Sequence, residues 1–329
     1  MLRITSAQIN PTIGDISGNI ALMLRAARQA RDEHADLVVF PEMSLTAYYP
    51  GDLLDDANFQ VRVEAGLIQL KLATRETPQV LWVVGAPVRR TGIGKPFHNA
   101  LLVLQNGEVL LQYAKQLLPT YNIFDERRHF EPGPDVARVL RIRDAQVGLM
   151  ICEDGWNDDG QDYLVNPFQR LADAAPDLVV SINASPSNVG KREQRHLVFS
   201  KACLRHGLPL LYVNQIGGHD QVIYDGASFA VNAQGVVVYE AKRFTDDVTT
   251  LTFDPRSRAF SGADGQDLPP VPLAGLPTLE FYRQQIVLGL RDYARRCGFS
   301  KAVVGSSGGI DSALTLVLAA EALGPDNVV

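Results

Sequence analysis

The chain has 329 residues, 31 Lys and Arg against 37 Asp and Glu, a formal net charge of −6 and a hydrophobic fraction of 46%. That suits one large domain plus part of another, and the mildly acidic balance excludes the basic footprint of a nucleic-acid binder. Three scattered cysteines, Cys152, Cys203 and Cys297, show no CxxC or Cys/His spacing, which points to a reducing compartment and away from a disulfide framework or a zinc site.

The opening MLRITSAQIN lacks the basic start and apolar run of a secretory leader. No uninterrupted apolar window reaches the roughly 18 residues of a spanning helix. The expectation is a cytoplasmic protein with no membrane partner.

Residues 2–9 (LRITSAQI) suit a strand, and 19–34 place Ile20, Met23, Leu24, Ala27 and Ala30 on one helix face. The short apolar run DLVVF at 36–40 makes the opening β-α-β. A helix over 58–75 and the strand VLWVVGAP repeat the alternation. Two strands then flank Gln105-Asn106-Gly107-Glu108, because Asn-Gly between apolar runs signals a hairpin. Strand VGLMIC, a helix over 166–175, strand DLVVSIN, a helix over 192–206 and strand PLLYVNQ follow. IYDGASFAVNAQGVVVYEA closes the series as a strand pair around Gln234-Gly235. This alternation predicts an α/β domain, a sheet with helices packed outside.

From 254 to 277 the chain turns rich in Pro, Gly and Ser and loses periodicity, which reads as a linker. A helix fits 278–297, a strand 301–305 and a helix 312–323. These elements are too few to bury a core, so the second domain is expected to be only begun within this chain.

Three apolar strands end in a reactive side chain: VVFPE at Glu42, LLQYAK at Lys115 and GLMICE at Cys152. Strand ends at one edge of an α/β sheet are where sites assemble. Acyl transfer by a thiol needs a proton acceptor, a cation near the developing oxyanion and the nucleophile, and Glu, Lys and Cys supply that set. Each also has a plainer reading. Cys152 can be a packed thiol, Glu42 a loop cap and Lys115 a solvated charge.

The blocks AQINPTIGDISGNI, VVFPEMSLTAYYPGDLL, FHNALLVLQNGEVLLQYAKQLLPTY, VGLMICEDGW and INASPSNVGKREQR resemble those of the nitrilase, or carbon-nitrogen hydrolase, family. The resemblance covers 1–253 and implies a four-layer αββα sandwich. It further implies an amide hydrolase working through a thioester, with Glu42 as general base, Lys115 as the triad lysine and Cys152 as nucleophile. Glu126 matches a second glutamate near such triads that orients the lysine or the substrate; its alternative is a solvated loop charge. Tyr121, Ser185 and Lys191 match glutamine-binding positions, with Glu153 and Tyr48 as further pocket residues. Ser185 and Lys191 can equally be a turn hydroxyl and a helix-start cation.

VVGSSGGIDSALTLVLA sets a Ser/Gly-rich loop between a strand and a helix, where backbone N–H groups and the helix dipole hold phosphate. No lysine follows the glycines, so it is not a Walker A loop. It resembles the loop of the ATP pyrophosphatases, which implies ATP contacts from Gly305, Ser306, Ser307, Gly308, Gly309, Ile310, Asp311 and Ser312. Asp311 reads either as a helix cap or as a residue near a metal.

The order of the two blocks resembles that of the glutamine-dependent NAD+ synthetase family. The resemblance implies glutamine, ATP with Mg2+, and deamido-NAD+ as substrates and cofactors, a Rossmann-like start of a synthetase domain over 278–329, and a homo-oligomer paired through outer helices. It implies ammonia released in the first domain and used in the second, where it displaces AMP. The expectation for this chain alone is glutaminase activity, weak or deregulated, without NAD+ synthesis. A stand-alone amidase on another small amide and a non-catalytic scaffold are the rival readings.

Overall fold

The computed structural model describes residues 1–219 and 221–329. The chain runs β1 (Leu2–Gln8), α1 (Ile16–Asp32), β2 (Leu37–Val39), α2 (Ala57–Ala73) and β3 (Leu81–Arg89), and then the hairpin β4 (Phe97–Gln105) and β5 (Glu108–Ala114). The second half of the sandwich is β6 (Val139–Ile142), β7 (Ala145–Ile151), α3 (Pro167–Asp173), β8 (Leu178–Asn183), α4 (Lys191–His206) and β9 (Leu210–Asn214). It continues with β10 (Ile216–His219), β11 (Val222–Asp225), β12 (Phe229–Val231), β13 (Val237–Glu240), β14 (Asp247–Asp254) and β15 (Ala259–Gly262). The helices α5 (Thr278–Cys297) and α6 (Ile310–Leu323) follow.

One sheet has the order β15-β14-β1-β2-β3-β4-β5 and the other β13-β12-β9-β8-β7-β6. In each, three consecutive parallel strands joined by helical crossovers form the centre, and antiparallel strands flank them. Such strands are covered on both faces, so β2, β8 and β9 are buried throughout, as their unbroken apolar runs require. Ile4, Val39 and Val83 of one sheet meet Leu149, Ile182 and Val213 of the other in a shared core. On the outer faces, Met23 and Ala27 of α1 and Val63 of α2 cover the first sheet, while Phe168 of α3 and Phe199 of α4 cover the second. The layers are therefore αββα.

Local signals set the helix ends. Asp15 caps α1 by accepting from Gly18 N at 3.0 Å, so the helix begins at Ile16, ahead of the expected residue 19. Asp56 caps α2 in the same way through Phe59 N at 2.7 Å. The hairpin turn forms as read, with Asn106 at φ 48° and Gly107 at φ 91°, both in the left-handed region that such a two-residue turn demands.

Three expectations need correction. The stretch read as a linker starts as sheet: β15 pairs antiparallel with β14, and Phe260 packs against Phe253 with ring centroids 5.2 Å apart. Farther on, Val271 N donates to Val237 O at 2.8 Å, so this segment straps along the second sheet. Among the described residues the expected strand 301–305 has backbone partners in residues 327–329, through Ala302 N to Asn327 O at 2.9 Å and Val304 N to Val329 O at 2.8 Å. It is an extended segment with one bridge. Finally, the strand expected before Gln234 breaks into β11 and β12, because Gly226 and Ala227 both adopt positive φ.

Helix α5 is seated on the sandwich. Phe281 and Leu288 pack against Ile216 and Phe244, and Gly218 and Gly289 touch so closely that a Cβ at Gly218 would lie 2.8 Å from the Gly289 Cα. Asp292, 3% exposed, accepts from Gly218 N at 2.9 Å and from Asn10 Nδ2 at 2.8 Å. Among the described residues no helix is long and apolar enough to cross a membrane.

Candidate active site

Glu42 follows β2, Lys115 follows β5 and Cys152 follows β7. The first two strands belong to one sheet and β7 to the other. The site is thus assembled where the ends of two facing sheets meet, which corrects the expectation of a single sheet edge. Cys152 opens a short 3-10 turn at φ 42°, a left-handed conformation that raises a non-glycine residue by about 1–2 kcal/mol. The turn swings the thiol off the strand line and toward a cavity.

Asp154 holds that turn in place. Its Oδ1 accepts from Gln116 N at 3.0 Å and Leu117 N at 2.8 Å, and its Oδ2 accepts from Tyr113 Oη at 2.7 Å. These partners flank Lys115, so one buried carboxylate ties the lysine's strand to the cysteine's turn across the two sheets. Burial pushes the Asp154 carboxyl up to about 6, against the pull of those hydrogen bonds.

Lys115 is 1% exposed, and its Nζ lies 2.8 Å from Glu42 Oε1 and 2.7 Å from Glu126 Oε1. Burial disfavours the ammonium, but Glu126 and Glu42 outweigh it and hold the lysine charged. Glu126 is fully buried, which excludes its reading as a solvated loop charge. Burial raises its proton affinity, Lys115 opposes that, and Glu42 adds to it. Tyr48 Oη donates to Glu126 Oε1 at 2.7 Å. Asn99 Nδ2 donates to Glu42 Oε1 at 2.6 Å and more weakly to Glu126 Oε2 at 3.4 Å, and Ala184 N donates to Glu42 Oε2 at 3.1 Å.

The Cys152 thiol is pushed well above its ordinary range, first by burial and then by Glu42, with Lys115 pulling the other way. A thiol in this setting rests protonated at neutral pH. A protonated thiol needs a base to take its proton before it can attack an electrophile, and the Glu42 carboxylate is close enough to bear on its titration.

The cavity in front of Cys152 measures about 1040 Å³. Tyr121, Glu153, Ser185 and Lys191 all line it. Tyr121 Oη donates to Glu153 at 3.0 Å and Tyr163 Oη at 2.8 Å, so the carboxylate is aimed before any ligand arrives. Lys191 is the first residue of α4, in keeping with its helix-start reading, and its Nζ also sits 3.8 Å over the Trp156 ring. Burial, reinforced by Arg195, lowers the Lys191 pKa. Ser185 Oγ accepts from the buried Arg195 Nε at 3.0 Å, which leaves its own hydrogen to donate. The cavity thus carries the oriented Glu153 carboxylate and the Lys191 ammonium, with Asp162 also on its wall, and charges of both signs suit a small zwitterion. Of the triad positions only Cys152 lines the cavity; Glu42 and Lys115 lie behind it, and so do Glu126 and Tyr48, expected among the ligand-binding residues. Glu126 bonds Lys115, the first of the two roles offered for it, and Tyr48 bonds Glu126, because the bends after β2 and before β6 fold inward around the ammonium.

Several site residues escaped the sequence reading: Asn99, Asp154, Trp156, Tyr163 and Arg195, together with Gln285 of α5. Gln285 lines the cavity and accepts from Ser187 Oγ at 2.8 Å. Asn99 and Asp154 lie inside quoted blocks, where a polar residue in an apolar run was the available signal. Tyr163 and Gln285 carried none, since loops and a distant helix deliver them.

The loop from Gly305 to Ser312 is a separate place. Gly308 has φ 83°, a position only glycine takes freely, and Ser312 Oγ bonds Gly309 O at 2.9 Å and Ser307 N at 3.2 Å at the start of α6. Ser306, Ser307, Gly309, Ile310 and Asp311 are exposed. Hydroxyls and free backbone N–H groups at a helix start are the donor chemistry that phosphate requires.

The αββα fold, with its buried Glu-Lys-Glu cluster and a cysteine at the cavity, defines a structural class, and comparisons with known proteins name it. The carbon-nitrogen hydrolase family model matches residues 3–260, and the chain belongs to that family. The NAD synthase family model matches residues 282–329. A glutamine-dependent NAD(+) synthetase from Synechocystis sp. is 40% identical over 338 residues, spanning all of this chain and 59% of the relative. The solved structure of glutamine-dependent NAD+ synthetase from Acinetobacter baumannii, in complex with ADP, superposes with a TM-score of 0.89 at 34% identity, covering 99% of this chain and 58% of that one. An amidase from Nesterenkonia sp. AN1 shares the fold, with a TM-score of 0.68 at 20% identity over 78% of this chain and 92% of that one. The chain therefore spans about three-fifths of the length of the synthetases it matches.

Proposed function

We propose that this chain carries the glutamine-hydrolysing part of a glutamine-dependent NAD+ synthetase, with Glu42, Lys115 and Cys152 as its catalytic triad. The observation that carries the reading is the joint burial of Lys115 between Glu42 and Glu126 beside the protonated Cys152 thiol. Glutamine enters the cavity with its ammonium toward Glu153 and its α-carboxylate toward Lys191 and Ser185, which leaves the side-chain amide facing Cys152. Glu42 takes the thiol proton as sulfur attacks the amide carbon, and Lys115 stabilises the oxyanion. The proton passes from Glu42 to the leaving nitrogen, ammonia departs and a thioester remains. Glu42 then activates water, which releases glutamate and restores the thiol. Glu126 and Tyr48 keep Lys115 charged and fixed throughout.

The match to the NAD synthase family over 282–329 supports a second step, in which deamido-NAD+ activated with ATP is attacked by the ammonia. Gly305 to Ser312 hold the ATP phosphates in this reading, and Mg2+, when bound, would offset the phosphate charge. The expected setting is cytoplasmic, with subunits paired through the outer helices. Ammonia release measured on glutamine, asparagine and simple aliphatic amides tests the substrate. Glutamine is expected to be preferred, and Glu153→Gln is expected to raise its KM about tenfold or more by removing a charged hydrogen bond. Equal rates on all amides would favour a general amidase.

A further inference from the structure

Asn99 sits on β4, fully buried, and does not line the cavity. Its backbone oxygen accepts from Lys115 N at 2.9 Å, which sets it beside the lysine. Its amide nitrogen donates to Glu42 Oε1 at 2.6 Å and reaches Glu126 Oε2 at 3.4 Å. The orientation is forced, because a turned amide would set its own oxygen 2.6 Å from a carboxylate oxygen. Among the described residues its Oδ1 has no hydrogen-bond partner, although the atom is buried. A residue present only to fill the core would satisfy both ends of its amide. Asn99 gives up one end so that the other can serve two carboxylates.

The consequence lies in how the two oxygens of Glu42 are divided. Oε1 receives two donors, Lys115 Nζ at 2.8 Å and Asn99 Nδ2 at 2.6 Å, whereas Oε2 receives one, Ala184 N at 3.1 Å. Ala184 N also lies beside the Cys152 sulfur. Oε2 thus shares the Ala184 N donor with the thiol and is the oxygen with a lone pair to spare. We propose that Asn99 is a positioning residue for the base: it clamps Glu42 Oε1 so that Oε2 alone is presented to the thiol and then to the leaving nitrogen. This deepens the proposed amide hydrolysis and rests on that reading.

The groups that bear on Glu42 are Lys115 after β5, Glu126 in the following loop, Cys152 after β7, Tyr48 on its own segment, Tyr212 of β9 and Tyr224 of β11. None replaces the Asn99 donor. Its removal leaves Oε1 held by Lys115 alone, so the carboxylate is free to turn and the base loses its aim. The test compares wild type with Asn99→Ala and with Asn99→Leu, which keeps the branched outline but not the donor. The assay follows kcat and KM for ammonia release from glutamine at neutral pH, and thermal melting confirms folding. The expected result is a kcat about ten- to a hundredfold lower with a KM within about twofold in both variants. A folded variant whose kcat stays within about twofold of wild type, or whose KM alone rises, overturns the proposal while leaving the function intact. If Asn99→Leu fails to fold, the kcat measured for Asn99→Ala decides. A wild-type chain inactive on every amide overturns both.

Discussion

The cluster around Lys115 and the loop from Gly305 to Ser312 are both places where loops meet strand or helix ends, yet they are organised by different forces. At the first, two carboxylates, an ammonium, an amide and a phenol are buried together and bonded to one another before substrate arrives. At the second, the donors lie open to solvent and bond mainly within their own turn. Burial makes the first site rigid and its electrostatics strong, since water cannot screen it. The second is held by bonds within its own turn and stays open to water.

That contrast predicts graded responses. The largest belongs to Lys115→Met, which strands Glu42 and Glu126 without their cation. Loss of one partner of a buried pair costs about 3–5 kcal/mol, so the melting temperature should fall steeply while activity disappears. A variant as stable as wild type would show that the cluster does not hold this end of the sandwich together.

A smaller effect follows from Asp154. Its folded-state pKa of about 6 lies above the ordinary value of 3.8, so its contribution to stability is fully present below about 3.8 and is lost as pH rises through about 6. Denaturant titrations between pH 4 and 7 should therefore show a steeper decline for wild type than for Asp154→Asn, by at most about 1.4 kcal/mol per pH unit. Parallel curves would contradict the assignment. The smallest effect is expected at the exposed loop, where Ser307→Ala should shift stability by less than about 0.5 kcal/mol. A larger loss would mean that this loop is internally braced like the first site.

Much of the architecture was legible because it is periodic. Alternating helix and strand patterns gave the two β-α-β-α-β halves, and Asn106-Gly107 announced its own hairpin. The reactive trio was visible because each member ends an apolar run, where a Glu, Lys or Cys contrasts with its neighbours. What holds the trio together was not legible. Asn99 meets Glu42 from 57 residues away, and Asp154 meets Leu117 from 37, with pairings set by which sheet faces which. Local sequence carries the polarity of such residues but not their partners. Composition also misled at 254–277, since a Pro- and Gly-rich segment still supplies β15 when an edge strand offers it backbone partners. Tyr48 was read as a pocket residue and Glu126 as orienting either the lysine or the substrate, because their burial behind Lys115 depends on tertiary folding alone.

The most direct test of the central claim uses an intact enzyme that carries both portions, with Cys152→Ala introduced. NAD+ formation is then measured with glutamine and, separately, with ammonium salts as the nitrogen source. The account predicts that glutamine-driven synthesis is lost while ammonium-driven synthesis persists at the wild-type level. Loss of both, or survival of the glutamine-driven reaction, would contradict it.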